Sequence, residues 1–386
     1  MMSEEKTISP RMTRGALPGD IVLLGCGDVG PVHEPPDAYA ELARPTLAAA
    51  DIRFGQCERV YSERGAYQVQ AGSHSRLPKH MASVFTSCGF DVVSLASNHA
   101  MDWGGEALLD TKALLEEKGI VTAGAGSNLQ EARKPAIVER KGIKVGFLAY
   151  CSVLRPGYAA TSKKPGCAPL RIHTYYEAEE YQPGLPPRVV TVPYEEDMEA
   201  VKEDIAAAKQ KADVVALSLH WGLHEIPRAM ADYQSLFAHA AFEAGADVIL
   251  GHHAHLPKAV EVYKGKVCFH SLSNFIMSNP GPTTPEQVEE RVRRLKGYGT
   301  ELDPDYPHLP YGVDAKRSLV ARVVLSRKGV GRVSFLPVLI DKQLRPEFLR
   351  QGDARFDDAV RYMEWCSEGY AHRFSIEGDE VVVMDS

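Results

Sequence analysis

The stretch from Ala246 to Met277, ADVILGHHAHLPKAVEVYKGKVCFHSLSNFIM, governs how the rest of the chain can be read. Residues 247–250 form a short aliphatic, β-branched run of the kind that fills a fully buried strand. It stops at Gly251, with His252, His253 and His255 just beyond. Imidazoles at the mouth of such a strand are held rigidly yet still reach solvent or a metal. His253 and His255 stand two apart, so an extended turn would project both rings to one side. A second apolar run, 267–269, leads to His270, Ser271 and Asn274. Any one of these histidines alone would fit an ordinary core or surface role, but three in four residues directly after a strand favour metal binding.

The same pattern recurs upstream. Residues 21–24 read as a strand ending in Gly25-Cys26-Gly27-Asp28-Val29-Gly30, and open α/β sheets place ligands at such carboxyl edges. A helix cap or turn is the alternative role for Asp28. Residues 52–57 lead into Glu58. Residues 90–96 run into Ser97, Asn98, His99 and Asp102, and 214–219 run into His220, Trp221 and Gly222. Between them, 38–50, 79–88, 106–118, 197–211 and 233–244 carry helical patterns, the last closed by Gly245. This is the rhythm of an α/β protein. Its five strand ends carry Asp28, Glu58, Asn98 with His99, His220, and the 252–255 histidines. Such mixed nitrogen and oxygen donors suit Mn, Zn or Fe, or a pair of such ions, better than Mg or Ca. Two ions about 3.5 to 4 Å apart would yield a hydroxide nucleophile near neutral pH and clamp a phosphoryl or carbonyl oxygen.

Composition narrows the partners. A chain of 386 residues, 44% hydrophobic, accommodates two or three domains or one large α/β domain with insertions. A net charge of -7 with no Lys/Arg-rich run argues against a non-specific nucleic-acid binder. No apolar run approaches the roughly 20 residues that span a bilayer, and the first twenty residues contain no apolar signal segment. Seven cysteines, an odd number without a close CxxC pair, point to a reduced cytoplasmic protein. No nucleic-acid or membrane partner is therefore expected.

Taken in order, GDVG at Asp28, the Glu58 motif, SLASNHAMDWG around Asn98 and His99, HWG at His220, then GHHAH and SLSNF resemble the CapA (poly-γ-glutamate capsule synthesis) family of calcineurin-like metallophosphatases. The resemblance covers residues 21–276. It implies a four-layer αββα sandwich, two central β-sheets packed face to face with helices outside. It also implies that Asp28 and His255 hold one metal and Asn98, His220 and His253 the other, with Glu58 bridging. His99 would be the acid that protonates the leaving group, Asp102 is grouped with it as catalytic, and His252 fits a supporting position.

The chain departs from the family pattern at three places. The usual Asp-x-His reads Asp28-Val29-Gly30, which removes one imidazole from the first metal. The usual Asn-Leu-Glu reads Gln56-Cys57-Glu58. The frequent Glu after HWG is His224, a further ligand, a substrate contact or a solvated side chain, with Glu225 beside it. The membrane attachment expected of a capsule component is missing from the chain, which favours a soluble enzyme over an export factor.

Residues 1–19 read as a flexible tail, 20–340 as the metallophosphatase domain and 341–386 as a C-terminal helical extension containing a helix at 355–368. Residues 318–325 and 330–339 read as a hairpin. Two insertions, 154–193 and 278–316, interrupt the rhythm after strands that end at the site and read as lids, or as a solvated subdomain or oligomer contact. Arg155 and Arg171 of the first insertion, with His74 and Arg76 of a loop at 61–78, would bind a substrate carboxylate or phosphate. His224 and Asn274 complete the expected substrate-facing set. The reading is a metal-dependent hydrolase, dinuclear in expectation, acting on a small anionic substrate. A phosphoester is favoured; an amide or γ-glutamyl bond, or a non-catalytic or ligase-associated role in polyglutamate synthesis, are the alternatives.

Overall fold

The computed structural model describes residues 16–71, 76–180, 184–281 and 284–385. The first four strands, β1 (Ile21–Gly30), β2 (Ile52–Cys57), β3 (Val92–Ser94) and β4 (Val121–Ala123), run parallel in sequence order. Helix α1 (Gly104–Glu117) lies between the third and fourth. The antiparallel pair β5 (Ala136–Arg140) and β6 (Ile143–Cys151) starts a second sheet. A separate hairpin, β7 (Ile172–Glu177) and β8 (Arg188–Pro193), follows. Then come α2 (Glu195–Lys209), β9 (Val214–His220), α3 (Asp232–Ala244) and β10 (Val248–His252). Strands β11 (Val260–Tyr263), β12 (Lys266–Phe269) and β13 (Asn274–Met277) precede α4 (Pro285–Gly297). The chain closes with β14 (Arg317–Ser326), β15 (Gly329–Ile340), β16 (Pro346–Phe348), α5 (Ala354–Ser367), β17 (Arg373–Glu377) and β18 (Glu380–Met384).

Ten strands form one sheet in the order β17-β18-β15-β14-β1-β2-β3-β4, with β13 also beside β1 and β16 beside β15; six form the other, β11-β12-β10-β9-β6-β5. Strands β9 and β10 are buried at every residue, as their unbroken aliphatic sequences require of strands covered on both faces. The sheets pack against each other through Phe54 of β2, stacked on Phe147 of β6 with centroids 5.4 Å apart. Gly25 permits the contact, because a Cβ there would lie 2.9 Å from Leu250. Helices α2 and α3 cover the outer face of the smaller sheet, burying Val201, Ile205, Phe237 and Ala241 with Val215, Leu217 and Leu219. Helix α3 ends where Gly245 turns left-handed at φ 119°, as its sequence position predicts. The result is an α/β sandwich of two face-to-face sheets with helices outside.

Two sequence expectations change. The segment 341–386 is not a helical extension: α5 occupies almost the expected residues, but β17 and β18 add to the large sheet, pairing Ser334 with Val382. The run EVVVM carries the signal, a β-branched strand after a Gly378 turn, buried against β15. The segment 38–50 is a 3-10 turn at Pro36–Ala40 and a five-residue helix at Arg44–Ala48 rather than one helix. Among the described residues, no helix is long and apolar enough to cross a membrane.

Candidate metal centre

Parallel strands from both sheets aim their carboxyl ends at one edge, and the donors collect there. Strand β1 bulges on either side of Asp28, which pairs with Gln56 of β2 and Asn274 of β13. Gly27 has to be glycine, since a Cβ would fall 2.0 Å from the carbonyl oxygen of Ser273. His220 pairs with His252 at the ends of β9 and β10. The chain then turns through His253 and His255 with φ of 86° and 55°, and Ser273 on the adjoining loop has φ 66°. These are costly conformations for side chains with a Cβ, and they cluster at sites held by their surroundings. The histidine turn is therefore left-handed rather than extended, and it sends the two rings to different neighbours.

One atom each from Asp28, Glu58 and His220 lies within 4.8 Å of the others, all three residues being fully buried. Glu58 stands in the middle. Its Oε1 is 3.9 Å from His255 Nε2, and its Oε2 is 3.7 Å from His220 Nε2. On the His220 side, Nε2 lies 2.8 Å from Asn98 Oδ1 and 3.2 Å from His253 Nδ1. On the other side, Asp28 Oδ2 lies 3.6 Å from His255 Nδ1, and that nitrogen donates to Asn274 Oδ1 at 2.7 Å, which leaves Nε2 facing Glu58. Asp28 Oδ1 and Glu58 Oε1 are buried with no hydrogen-bond partner among the described residues. Buried acceptors of this kind cost free energy unless a cation or proton meets them, so the donor set fits a divalent metal. The site holds acceptors on both sides of Glu58.

The electrostatics agree. Burial, and then the charge of Asp28, pushes the Glu58 carboxyl well above its ordinary range, against a 2.9 Å hydrogen bond from Ser97 Oγ. Burial first and neighbouring imidazoles second hold His220 and His253 well below the ordinary histidine value; burial brings His255 down to about 4. The histidines are therefore neutral and their lone pairs available to a metal near pH 7.

The expected site residues divide into three groups. Asp28, Glu58, Asn98, His220, His253 and His255 come together. His99 joins them, its Nδ1 2.7 Å from Asp102 Oδ2 and its Nε2 4.0 Å from Glu58 Oε1. His252 is buried behind them, Nδ1 3.4 Å from Asp28 Oδ1, in a supporting place. His224 faces the cluster, its ring centroid 5.1 Å from those of both His253 and His255. Arg155 reaches Asp102. Arg76 instead lies 3.8 Å over the Trp103 ring, spent on that stack. Two substrate-facing assignments are corrected. Asn274 accepts from His255 and donates to the His255 and Ala315 carbonyls at 3.1 Å, so both its donors are engaged and its amide orients a ligand rather than facing substrate. Arg171 is bound bidentately by Asp197 at 2.8 and 2.6 Å, closing the base of the β7–β8 hairpin onto α2. His74 lies outside the described residues.

Neither insertion stands free as a lid. Glu225, fully buried, accepts from Arg291 at 2.8 Å and Arg294 at 2.7 Å, which clamps α4 to the loop after β9. Tyr311 stacks on His255 at 3.9 Å. Ser97, Tyr158, Glu225 and Tyr311 are site residues that sequence reasoning missed; only Ser97, inside the SNH run, carried a local signal.

The two-sheet sandwich gathers Asp, Glu and His at one edge, the layout of a protein built around a divalent-metal site. The chain belongs to the bacterial capsule synthesis protein PGA_cap family, whose model matches residues 16–279. It is 29% identical over 297 residues to the PGA biosynthesis protein CapA of Bacillus subtilis (strain 168), covering 76% of this chain and 71% of that protein. It is 27% identical over 261 residues to the capsule biosynthesis protein CapA of Bacillus anthracis, covering 67% of this chain and 58% of that one. A probable polyglutamine synthesis accessory protein of Mycobacterium tuberculosis (strain ATCC 25618 / H37Rv) is 30% identical over 261 residues, covering 66% and 63% respectively. Among solved structures, the calcineurin-like phosphoesterase YfkN of Bacillus subtilis superposes with a TM-score of 0.42 at 12% identity, covering 90% of this chain and 96% of that one.

Proposed function

We propose that this protein is a metal-dependent hydrolase that uses two divalent ions, of the Mn, Zn or Fe kind, on a small anionic substrate, with a phosphoester as the favoured bond. The observation that carries the reading is Glu58, buried between two sets of donors with an oxygen facing each. Asp28, His255 and Glu58 Oε1 would hold one ion; Asn98, His220, His253 and Glu58 Oε2 the other. When bound, the ions supply Lewis-acid polarisation of the scissile group and a water acidic enough to attack near neutral pH.

The chain's own residues do the rest. Asp102 fixes the His99 ring by its Nδ1 and turns Nε2 toward the cluster, where it gives a proton to the departing atom. Water adds across the bond: one phosphorus–oxygen bond forms, the bond to the leaving oxygen breaks, that oxygen takes its proton from His99 Nε2, and the proton the water gives up passes to solvent, from which His99 is reprotonated. Asn274 keeps His255 in one tautomer and orientation. Tyr311 and His224 cover the histidines and limit water entry.

A second reading is amide or γ-glutamyl hydrolysis, favoured by relatives named for capsule and polyglutamate synthesis, since the same donors polarise a carbonyl as well as a phosphoryl oxygen. Elemental analysis of protein purified without chelator or affinity nickel tests the site: about two transition-metal ions per chain are expected, with Asp28→Ala and His220→Ala each losing about one. A broad phosphoester panel offered to the fully metallated protein tests the bond; no phosphate release there removes the phosphoester reading. No metal uptake even after reconstitution would leave a binding role in polymer synthesis as the reading that survives.

A further inference from the structure

The first insertion is wired into the His99–Asp102 pair. Asp102 is fully buried, and its two oxygens do different work. Oδ2 takes His99 Nδ1 at 2.7 Å. Oδ1 takes Tyr158 Oη at 2.8 Å and Arg155 Nη1 at 3.0 Å. One carboxylate therefore fixes the imidazole and the guanidinium side by side. The bond to Asp102 uses Arg155 Nη1, with Tyr158 beside the same guanidinium, and the side chain is 27% exposed. Its charge reaches the metal cluster, being among those that, after burial and the neighbouring imidazoles, depress the proton affinity of His253.

A guanidinium offers five N–H donors in a rigid fork matched to oxyanions. With one arm bonded to the buried carboxylate that also holds His99, Arg155 is anchored on the same turn, and its remaining donors are preformed for an oxyanion. His99 Nε2 has to meet the departing atom, whereas the group that is transferred sits on the Glu58 cluster. Whatever Arg155 grips must then belong to the departing half of the substrate.

We propose that Arg155 recognises an oxyanion carried by the leaving group, which narrows the substrates to phosphoesters or amides whose departing alcohol or amine bears a carboxylate or phosphate-type group close to the broken bond. This rests on the hydrolase reading for the direction it assigns to the substrate; the anion site itself rests only on Arg155 and Asp102. The same bond breaks and the same proton moves as before, and no further reactant enters.

Calorimetric titration separates the two. Glycerol, glycerate and 2-hydroxyethylphosphonate are neutral, carboxylate and phosphonate alcohols of similar size. Both anions are expected to bind wild-type protein at least tenfold more tightly than glycerol, in metal-free and in Mn-loaded protein alike. Arg155→Met should cut that preference below threefold with metal content and circular dichroism unchanged, and Arg155→Lys should restore part of it. A preference for only one of the two anions identifies which chemistry is read. A preference seen only with metal present and untouched by Arg155→Met overturns the proposal, because the anion then sits on the ions. So does equal binding of all three alcohols. Binding needs no turnover: an anion preference lost in Arg155→Met from a protein that hydrolyses nothing would keep the Arg155 site and end the hydrolase reading. Where turnover is found, kcat/KM for anionic over neutral leaving groups should fall toward unity in Arg155→Met.

Discussion

At the scale of single residues, Glu58 is the side chain on which the two donor sets depend. Glu58→Gln removes one negative charge and one good ligand atom from both sides, so elemental analysis should show loss of both ions rather than one, in contrast to Asp28→Ala. Asp102→Asn keeps the shape of the turn but offers an amide where His99 needs an acceptor. It should lower kcat by about 10²-fold or more, within the range general acids contribute, while metal content stays at the wild-type level. Loss of metal in that variant would show that the turn is structural. The donors at strand ends were legible because a hydrophobic run marks where a strand stops and the next polar residue must lie at its edge. Tyr158 and Tyr311 were not, since they arrive from insertions whose path no periodicity describes, and Glu225 was not because its arginine partners lie 66 and 69 positions away on α4. Asn274 and Arg171 were misread for a related reason: residue type announces that a side chain can bind something, but partners such as His255 and Asp197 are distant in sequence.

At the scale of elements, what holds the insertions is ionic. Glu225→Gln would leave Arg291 and Arg294 sharing a neutral partner. Allowing for their partial exposure, a cost of about 2 kcal/mol is expected, read as a lower melting temperature and as faster proteolysis within 278–316. Undiminished protease resistance would show that the apolar contacts of Leu295 suffice to seat α4. The entry to the 62–77 loop is pinned in a different way: Asp110 on α1 accepts from Arg64 and, at 2.7 Å, from Ser62 Oγ. The Arg64 hydrogen bond, opposed in part by burial, draws the Asp110 carboxyl down to about 2. Because the folded value lies below the unfolded one of about 3.9, this stabilisation is present above pH 4 and is lost as pH falls toward 2. Arg64 is largely exposed, so solvent screening keeps the expected contribution at neutral pH small. Asp110→Asn should remove it and flatten the acid limb of the stability curve.

At the scale of the whole molecule, the alternation of strand and helix announced the α/β class, and the ordered motifs announced the two-sheet sandwich. The final segment escaped because β17 and β18 are short, carry no chemistry and become meaningful only against β15, whose edge they cover. Deleting residues 371–386 should expose that edge, at Ser334 and Phe335, together with the apolar surface that Val381 and Val383 cover. The shortened protein is expected to accumulate as aggregate, measured as the soluble fraction on expression; a soluble, metal-binding product would show that the edge needs no cover. The order of the large sheet also has a consequence in time. Strand β1 is made well before its neighbours: Asp28 pairs with Asn274, 246 positions later, and β1 also lies against β14. At 5–20 residues per second, on the order of ten seconds or more of synthesis separate the two. The first carboxylate of the site is born long before the imidazoles and the amide that complete it, so the donor set can close only once synthesis has passed Asn274.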